Sequence, residues 1–484
     1  MSFISYSFPV FAAALLVLYY ALPGHAQKIM LLMASYMFYL WAGREKLFYI
    51  LITTLTTYGA GRFADRVLQM YGKKAAKSKN RVLLAIYLTV NFGILAVCKL
   101  RFTFQNVLLP LGISFYMFQS AGYMLDVHRG RVQAERNFLK LALFVSYFPQ
   151  LVQGPISRYD KLAPQLWKEH RFDSKRVSFG LLRMLWGYFK KLVIAERAAV
   201  AMTALLSPES TGLSFFVLTV FYAVRIYGDF TGGIDIAVGM SEALGITLPE
   251  NFVRPFFSKN IAEYWRRWHI TLGDWMKDYI FYPVSVSAPM RNLGRAARRR
   301  FPAFGKRLPV YISSAVTWFC TGIWHGITPN FILWGMINCA AIILSEELSP
   351  VSAKISGRLS LSDRRWYGAL CVFRTFIVMN FIRALDLFPN VGEYFIRLSS
   401  MFKPAALPAG GLGLDVSDYA VLVCGIAVMF AVSVIQERRG SVRELLWERT
   451  TVRYAITCAM LLAVLLMGNY GIGYDAAEFI YNQF

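Results

Sequence analysis

The residues from Leu308 to Ser345 constrain the fold most. They include no Lys, Arg, Asp or Glu over 38 positions. About 20 apolar residues cross a bilayer as a helix, so this stretch supplies roughly one and a half crossings. Pro329-Asn330 is its natural break, which predicts two helices with His325 near their junction. An ionisable residue at membrane depth is costly and marks a candidate functional site. His325 is such a residue, although a hydrogen bond to a neighbouring helix would also account for it.

The rest of the chain agrees with a membrane setting. Only 17% of the 484 residues are charged and 56% are hydrophobic, against about 25% charged in soluble domains. Charge-free or nearly charge-free apolar windows recur from end to end, and they predict an all-α polytopic integral membrane protein of roughly 10–13 membrane elements. Several windows are too short to cross straight, which predicts broken, re-entrant or interfacial segments; non-helical backbone survives at that depth only when protein or a water-filled cavity surrounds it. The alternating ~10-residue segments of an outer-membrane barrel are absent. Residues 1–27 lack the basic start of a signal peptide and read as a retained first helix.

The net charge of +24 is best explained by cytoplasmic basic loops rather than by nucleic acid. Two such loops are residues 62–81 and 291–307, the second rich in Arg and suited to anionic lipid or phosphate. Six Cys without a CxxC pair give no disulfide framework and no zinc site. Five His without i, i+4 spacing give no metal site either.

Three further stretches carry polar groups in apolar surroundings. Pro149 and Gly154-Pro155 break residues 141–165 into short pieces. Asp229 and Asp235 lie in a Gly-rich apolar run, as a buried pair needing partners or as helix-end carboxylates. Residues 258–280 predict one amphipathic helix, capped by Ser258 or Asn260. Its Trp265, Trp268, Leu272, Trp275 and Tyr279 share a face expected to lie on the membrane. His269 follows Trp265 by one turn. Adjacent Arg266 and Arg267 diverge around that helix, so only one can face a site.

A histidine in this setting could relay protons in a carrier, but the intramembrane carboxylates and repeated halves of carriers are not clear here. It could also act as general base toward an attacking hydroxyl. The motifs Trp324-His325-Gly326, Arg254-Pro255-Phe256 with Tyr264 to Leu272, Gln153-Gly154-Pro155-Ile156 and Tyr227 to Asp235 together resemble the bacterial branch of the membrane-bound O-acyltransferase (MBOAT) family. The ending Glu478 to Phe484 resembles its alginate type. That resemblance covers about 105–345, within a single membrane-embedded domain spanning 1–484, with N-terminal helices in 1–98 and C-terminal helices in 366–484.

The resemblance implies helices around a central tunnel. It implies His325 as the catalytic residue, with His269 and Asp235 in the catalytic shell. Arg266, Arg267, Asp229, Trp324 and Gln153 are expected to contact substrate, and no metal or bound cofactor is expected. It further implies an acyl donor in the cytosol, acetyl-CoA or an acyl carrier protein thioester, and a hydroxyl acceptor for an extracytoplasmic polysaccharide. An esterase-like extracytoplasmic partner and membrane lipid are the expected partners, in a bacterial cytoplasmic membrane. D-alanyl transfer to teichoic acid is the alternative chemistry, and a proton-coupled acyl or lipid transporter is the alternative class.

Overall fold

The computed structural model describes residues 2–470 apart from 106, 108, 362, 363 and 409; the terminal motif at 478–484 lies outside the described residues. Helices dominate, and among the described residues the only β pairing is two isolated bridges, Thr211 with Ala406 and Phe252 with Trp268. The chain divides into two compact units. One comprises Met1–Glu196, Ile226–Pro249 and Val421–Phe484, the other Arg197–Arg225 and Glu250–Ala420.

Among the described residues, five helices are long and apolar enough to cross a membrane: Ser78–Gln105, Pro329–Arg358, Arg365–Leu387, Val416–Arg439 and Thr450–Met467. Many of the remaining helices are shorter or broken, as the short apolar windows predict. In the first unit, residues 138–166 form three pieces, Phe138–Ser146, Phe148–Gln153 and Tyr159–Leu166. Asn137 caps the first by accepting from the Leu139 and Lys140 amides, and Pro149 starts the second. Residues 62–81 hold the reversal between two helical arms, which meet at Gly72, whose φ is 68°. The arms pair across it: Thr57 and Tyr87 share a hydrogen bond of 2.7 Å and Asn80 donates to the Ala64 carbonyl at 3.1 Å.

Helix Ser174–Tyr188 packs tightly against the part of helix Ser214–Ala243 that belongs to the first unit. A Cβ on Gly187 would stand 2.5 Å from the Gly232 carbonyl oxygen, and one on Gly180 2.4 Å from that of Gly239. Glycine lets these backbones touch, as small residues do in membrane helix pairs. Directly after this helix comes a π-helical turn, Phe189–Ala195.

In the second unit, the charge-free stretch forms the predicted hairpin of Pro302–His325 and Pro329–Arg358. Thr328 is extended and Pro329 opens the second helix, where a missing amide proton costs nothing. The two helices meet at Gly322 and Gly335: a Cβ on either would lie 2.5 and 2.4 Å from the Phe331 and Trp318 carbonyl oxygens, respectively. Asn330 fastens the hairpin tip by donating to the Phe388 and Leu385 carbonyls at 2.6 and 3.3 Å.

The single amphipathic helix expected over 258–280 does not form. Asn260 caps Ile261–Arg267 as expected, accepting from the Glu263 amide at 2.8 Å. The helix then stops, His269 takes a left-handed backbone (φ 49°), and Ile270–Met276 begins anew. The cause is non-local. The Ile270 amide donates to the Asn251 carbonyl at 3.0 Å and the Val253 amide to that of Arg267 at 2.9 Å, diverting backbone groups that a continuous helix would use. Its aromatic face also packs into the protein instead of onto the membrane: Trp268, Leu272, Trp275 and Tyr279 are all buried.

Candidate active site

The candidate site grows from the tip of the hairpin. His325 is the last residue of its helix and is half-buried. Its imidazole is enclosed by aromatic rings, with centroids 4.6 Å from Trp324 and 4.7 Å from Trp334, both edge-on, and 6.4 Å from Phe331 in a stacked pose. Trp334 is set in turn by Trp265, 5.7 Å away, whose indole N–H donates to Asn338 Oδ1 at 3.2 Å. Aromatic packing of this density fixes a ring's orientation while excluding water from one side.

His269 also packs against Trp324, with ring centroids 5.8 Å apart, and is 3% exposed. Asn251 Oδ1 accepts from the Thr271 amide at 3.0 Å and its hydroxyl at 2.9 Å, and stands 3.3 Å from His269 Nδ1. An oxygen in that accepting role assigns the proton to Nδ1 and leaves Nε2 as the lone-pair nitrogen. Burial pushes the His269 pKa down to about 3, so its imidazole is neutral at pH 7. A left-handed non-glycine residue costs of order 1–3 kcal/mol and persists where its surroundings impose it. Here the Asn251 contacts impose it.

His269, Trp324 and His325 are thus brought together, with Arg266 and Arg267 on the adjoining short helix. Arg267 is bonded to Glu263 at 2.8 Å, whereas Arg266 is exposed.

Asp229, Asp235 and Gln153 belong to the first unit. Asp235 bonds Arg183 Nε at 2.8 Å and Lys190 Nζ at 2.6 Å, and Lys190 also donates to Thr231 at 2.6 Å. Lys191 pairs with Asp229 and, at 2.6 Å, with Glu196. Three cations balance three carboxylates in this group. The π-helical turn supports it by placing consecutive lysines against different carboxylates. Gln153 is fully buried, and neither polar atom of its amide meets a hydrogen-bonding group among the described residues.

Sequence reasoning singled out the two aspartates but missed Arg183, Lys190 and Lys191. The signal was Lys190-Lys191 inside an otherwise apolar run. It missed Asn251 as well, since a lone Asn before a helix carries no mark of its long-range partner. Among the described residues no group of His, Cys, Asp or Glu is arranged to hold a metal ion.

Helices long and apolar enough to cross a membrane and an aromatic-enclosed histidine at a helical break define a multi-pass membrane protein with a half-buried candidate base. Residues 96–295 match the model of the MBOAT, membrane-bound O-acyltransferase family, and the chain belongs to that family. It is 33% identical over 331 residues to a Pseudomonas fluorescens protein named "Probable alginate O-acetylase AlgI", covering 67% of this chain and 62% of that protein. It is 30% identical over 297 residues to the peptidoglycan O-acetyltransferase of Helicobacter pylori, covering 55% and 53%. To the teichoic acid D-alanyltransferase of Bacillus subtilis it is 26% identical over 278 residues, covering 56% and 67%. The match to the alginate acetylase thus spans less than two thirds of that protein's length.

Proposed function

We propose that this chain is an O-acyltransferase of a bacterial cytoplasmic membrane. It moves an acetyl group from a cytosolic thioester, acetyl-CoA or an acyl carrier protein, to a hydroxyl destined for an extracytoplasmic polysaccharide. The observation that carries this reading is His325 at the hairpin tip, fixed by Trp324 and Trp334 yet only half-buried. A neutral imidazole so placed takes the proton of an attacking hydroxyl as that oxygen bonds the thioester carbon. The thiolate then leaves and takes up a proton.

In this reading His269 is a positioning residue. It is sealed from solvent and depressed to about 3 by burial, and its ring packs against Trp324 at 5.8 Å and holds it in place. Arg266 is the exposed cation suited to donor phosphates. Asp229 and Asp235 brace the first unit through their ion pairs, and Gln153 offers its buried amide to substrate.

Acetyl is preferred over D-alanyl because the acetylase relatives share 30–33% identity and the D-alanyltransferases 26%. Mass analysis of the envelope glycan, with and without the chain, tests the reading. Acetyl esters that depend on the chain support it. D-alanyl esters would transfer it to teichoic acid chemistry, and an unchanged glycan beside altered acyl or lipid transport would replace it with a carrier.

A further inference from the structure

Asn380 occupies the interior of the spanning helix Arg365–Leu387 and is 1% exposed. Neither its amide oxygen nor its amide nitrogen meets a hydrogen-bonding group of the described residues. Burying such an amide without a partner costs roughly 2–7 kcal/mol, and a Leu there would avoid that cost. Its place on the helix is set by its neighbours. Phe376, four residues earlier, packs edge-on against Phe256 at 5.3 Å. Arg383, three residues later, lies over Trp268 at 4.2 Å and Tyr264 at 5.6 Å. Residues three and four apart share a helix face, so Asn380 faces the same short helix that carries Tyr264 and leads into His269. Tyr264 is also 1% exposed, and its hydroxyl too meets no hydrogen-bonding group of the described residues.

The level of Asn380 points to what it binds. The hairpin tip that carries His325 is tied by Asn330 to Leu385 and Phe388. Asn380 precedes Leu385 by five residues, or ~8 Å at 1.5 Å per residue. That displacement runs toward the helix end beginning at Arg365. At the same end, Arg307 and Tyr311 of the first hairpin helix bond Glu347 of the second.

We propose that Asn380, with Tyr264, binds a secondary amide in the arm of the acyl donor, an inference that rests on the thioester reading above. Both donor types end in the same thiol-bearing arm, whose two amides follow the thioester carbon at ~5 and ~10 Å in extended bond geometry. An amide offers one donor and one acceptor, and the Asn380 side chain presents both complements.

The test is binding of a non-hydrolysable thioether analogue of acetylpantetheine to the purified full-length chain in lipid nanodiscs. An analogue of equal length without amides serves as comparison. Asn380→Leu removes both polar groups at similar volume. It should weaken the amide-bearing analogue about 10–100-fold, leave the amide-free one unchanged, and hold or raise the melting temperature. Tyr264→Phe should weaken the same analogue by a smaller factor and remains informative should Asn380→Leu fail to fold. Unchanged binding of the amide-bearing analogue by both variants, or equal weakening of both analogues, overturns the proposal alone. Lower stability in Asn380→Leu without a selective binding loss also overturns it, making Asn380 a structural residue. No binding by the parent protein would remove the thioester reading together with this one.

Discussion

Replacing Lys191 with Met tests what the buried carboxylates of the first unit are for. The lysine side chain is 2% exposed, and its partners Asp229 and Glu196 are 2% and 5% exposed. Met keeps the chain length and removes the charge, leaving two carboxylates together in a poorly solvated place. Nearby Lys190 and Arg183 are already engaged by Asp235, at 2.6 and 2.8 Å. Breaking a buried pair by deleting one partner costs about 3–5 kcal/mol. At ~2–4 °C per kcal/mol for a domain of a few hundred residues, the melting midpoint should fall by roughly 6–20 °C.

Asp229→Asn should cost less, about 1–2 kcal/mol, because Lys191 keeps its pair with Glu196 at 2.6 Å. Adding Asp229→Asn to Lys191→Met should restore part of the loss by removing one of the two carboxylates that Lys191 pairs with, a coupling of ~0.5–3 kcal/mol. Thermal unfolding of the four proteins in one detergent measures this cycle. A Lys191→Met protein within about 1 kcal/mol of the parent, or strictly additive losses, would refute the bracing role. Asp229 and Asp235 would then return as candidates for chemistry.

Two further outcomes follow from the second unit. Arg266→Ala should raise the donor KM about tenfold with little change in kcat, since a phosphate contact far from the reacting atoms stabilises ground and transition states alike. Arg267→Ala should leave KM unchanged and cost only ~0.3–0.5 kcal/mol from its pair with Glu263; initial-rate kinetics on both variants would show a reversed pattern if the assignment is wrong. His269 is depressed from 6.5 to about 3 by burial, so the unfolded chain takes its proton first as pH falls. Its contribution is therefore complete above pH 6.5 and is lost progressively toward pH 3. His269→Gln should flatten that part of the melting curve against pH, and an identical slope in both proteins would contradict it.

Much of this arrangement was legible in the residues because membrane physics writes long signals. The 38-residue charge-free stretch and Pro329 announced the hairpin and placed His325 at its end. Pro149 and Gly154-Pro155 announced the broken segment, because proline cannot continue a helix. The features that were hidden depend on contacts far apart in the chain. The amphipathic pattern at 258–280 carries no sign of Asn251, which breaks it at His269. The Lys190-Lys191 pair carries no sign of Asp235, Asp229 or Glu196, the carboxylates to which the π-helical turn directs its two side chains. Asn380 gave no signal, since an isolated Asn in an apolar run is equally consistent with a helix contact.

The central claim is that His325 is the base for acyl transfer. Its most direct test is ester content of the envelope glycan in cells that carry only the His325→Ala chain, measured by mass analysis against the parent. Membrane insertion and melting midpoint are followed in parallel. The account predicts a loss of transfer of ~10²–10⁴-fold with insertion and stability intact. A His325→Ala chain that keeps more than about half the parental ester content would contradict it, because general-base help of that size cannot be lost so quietly.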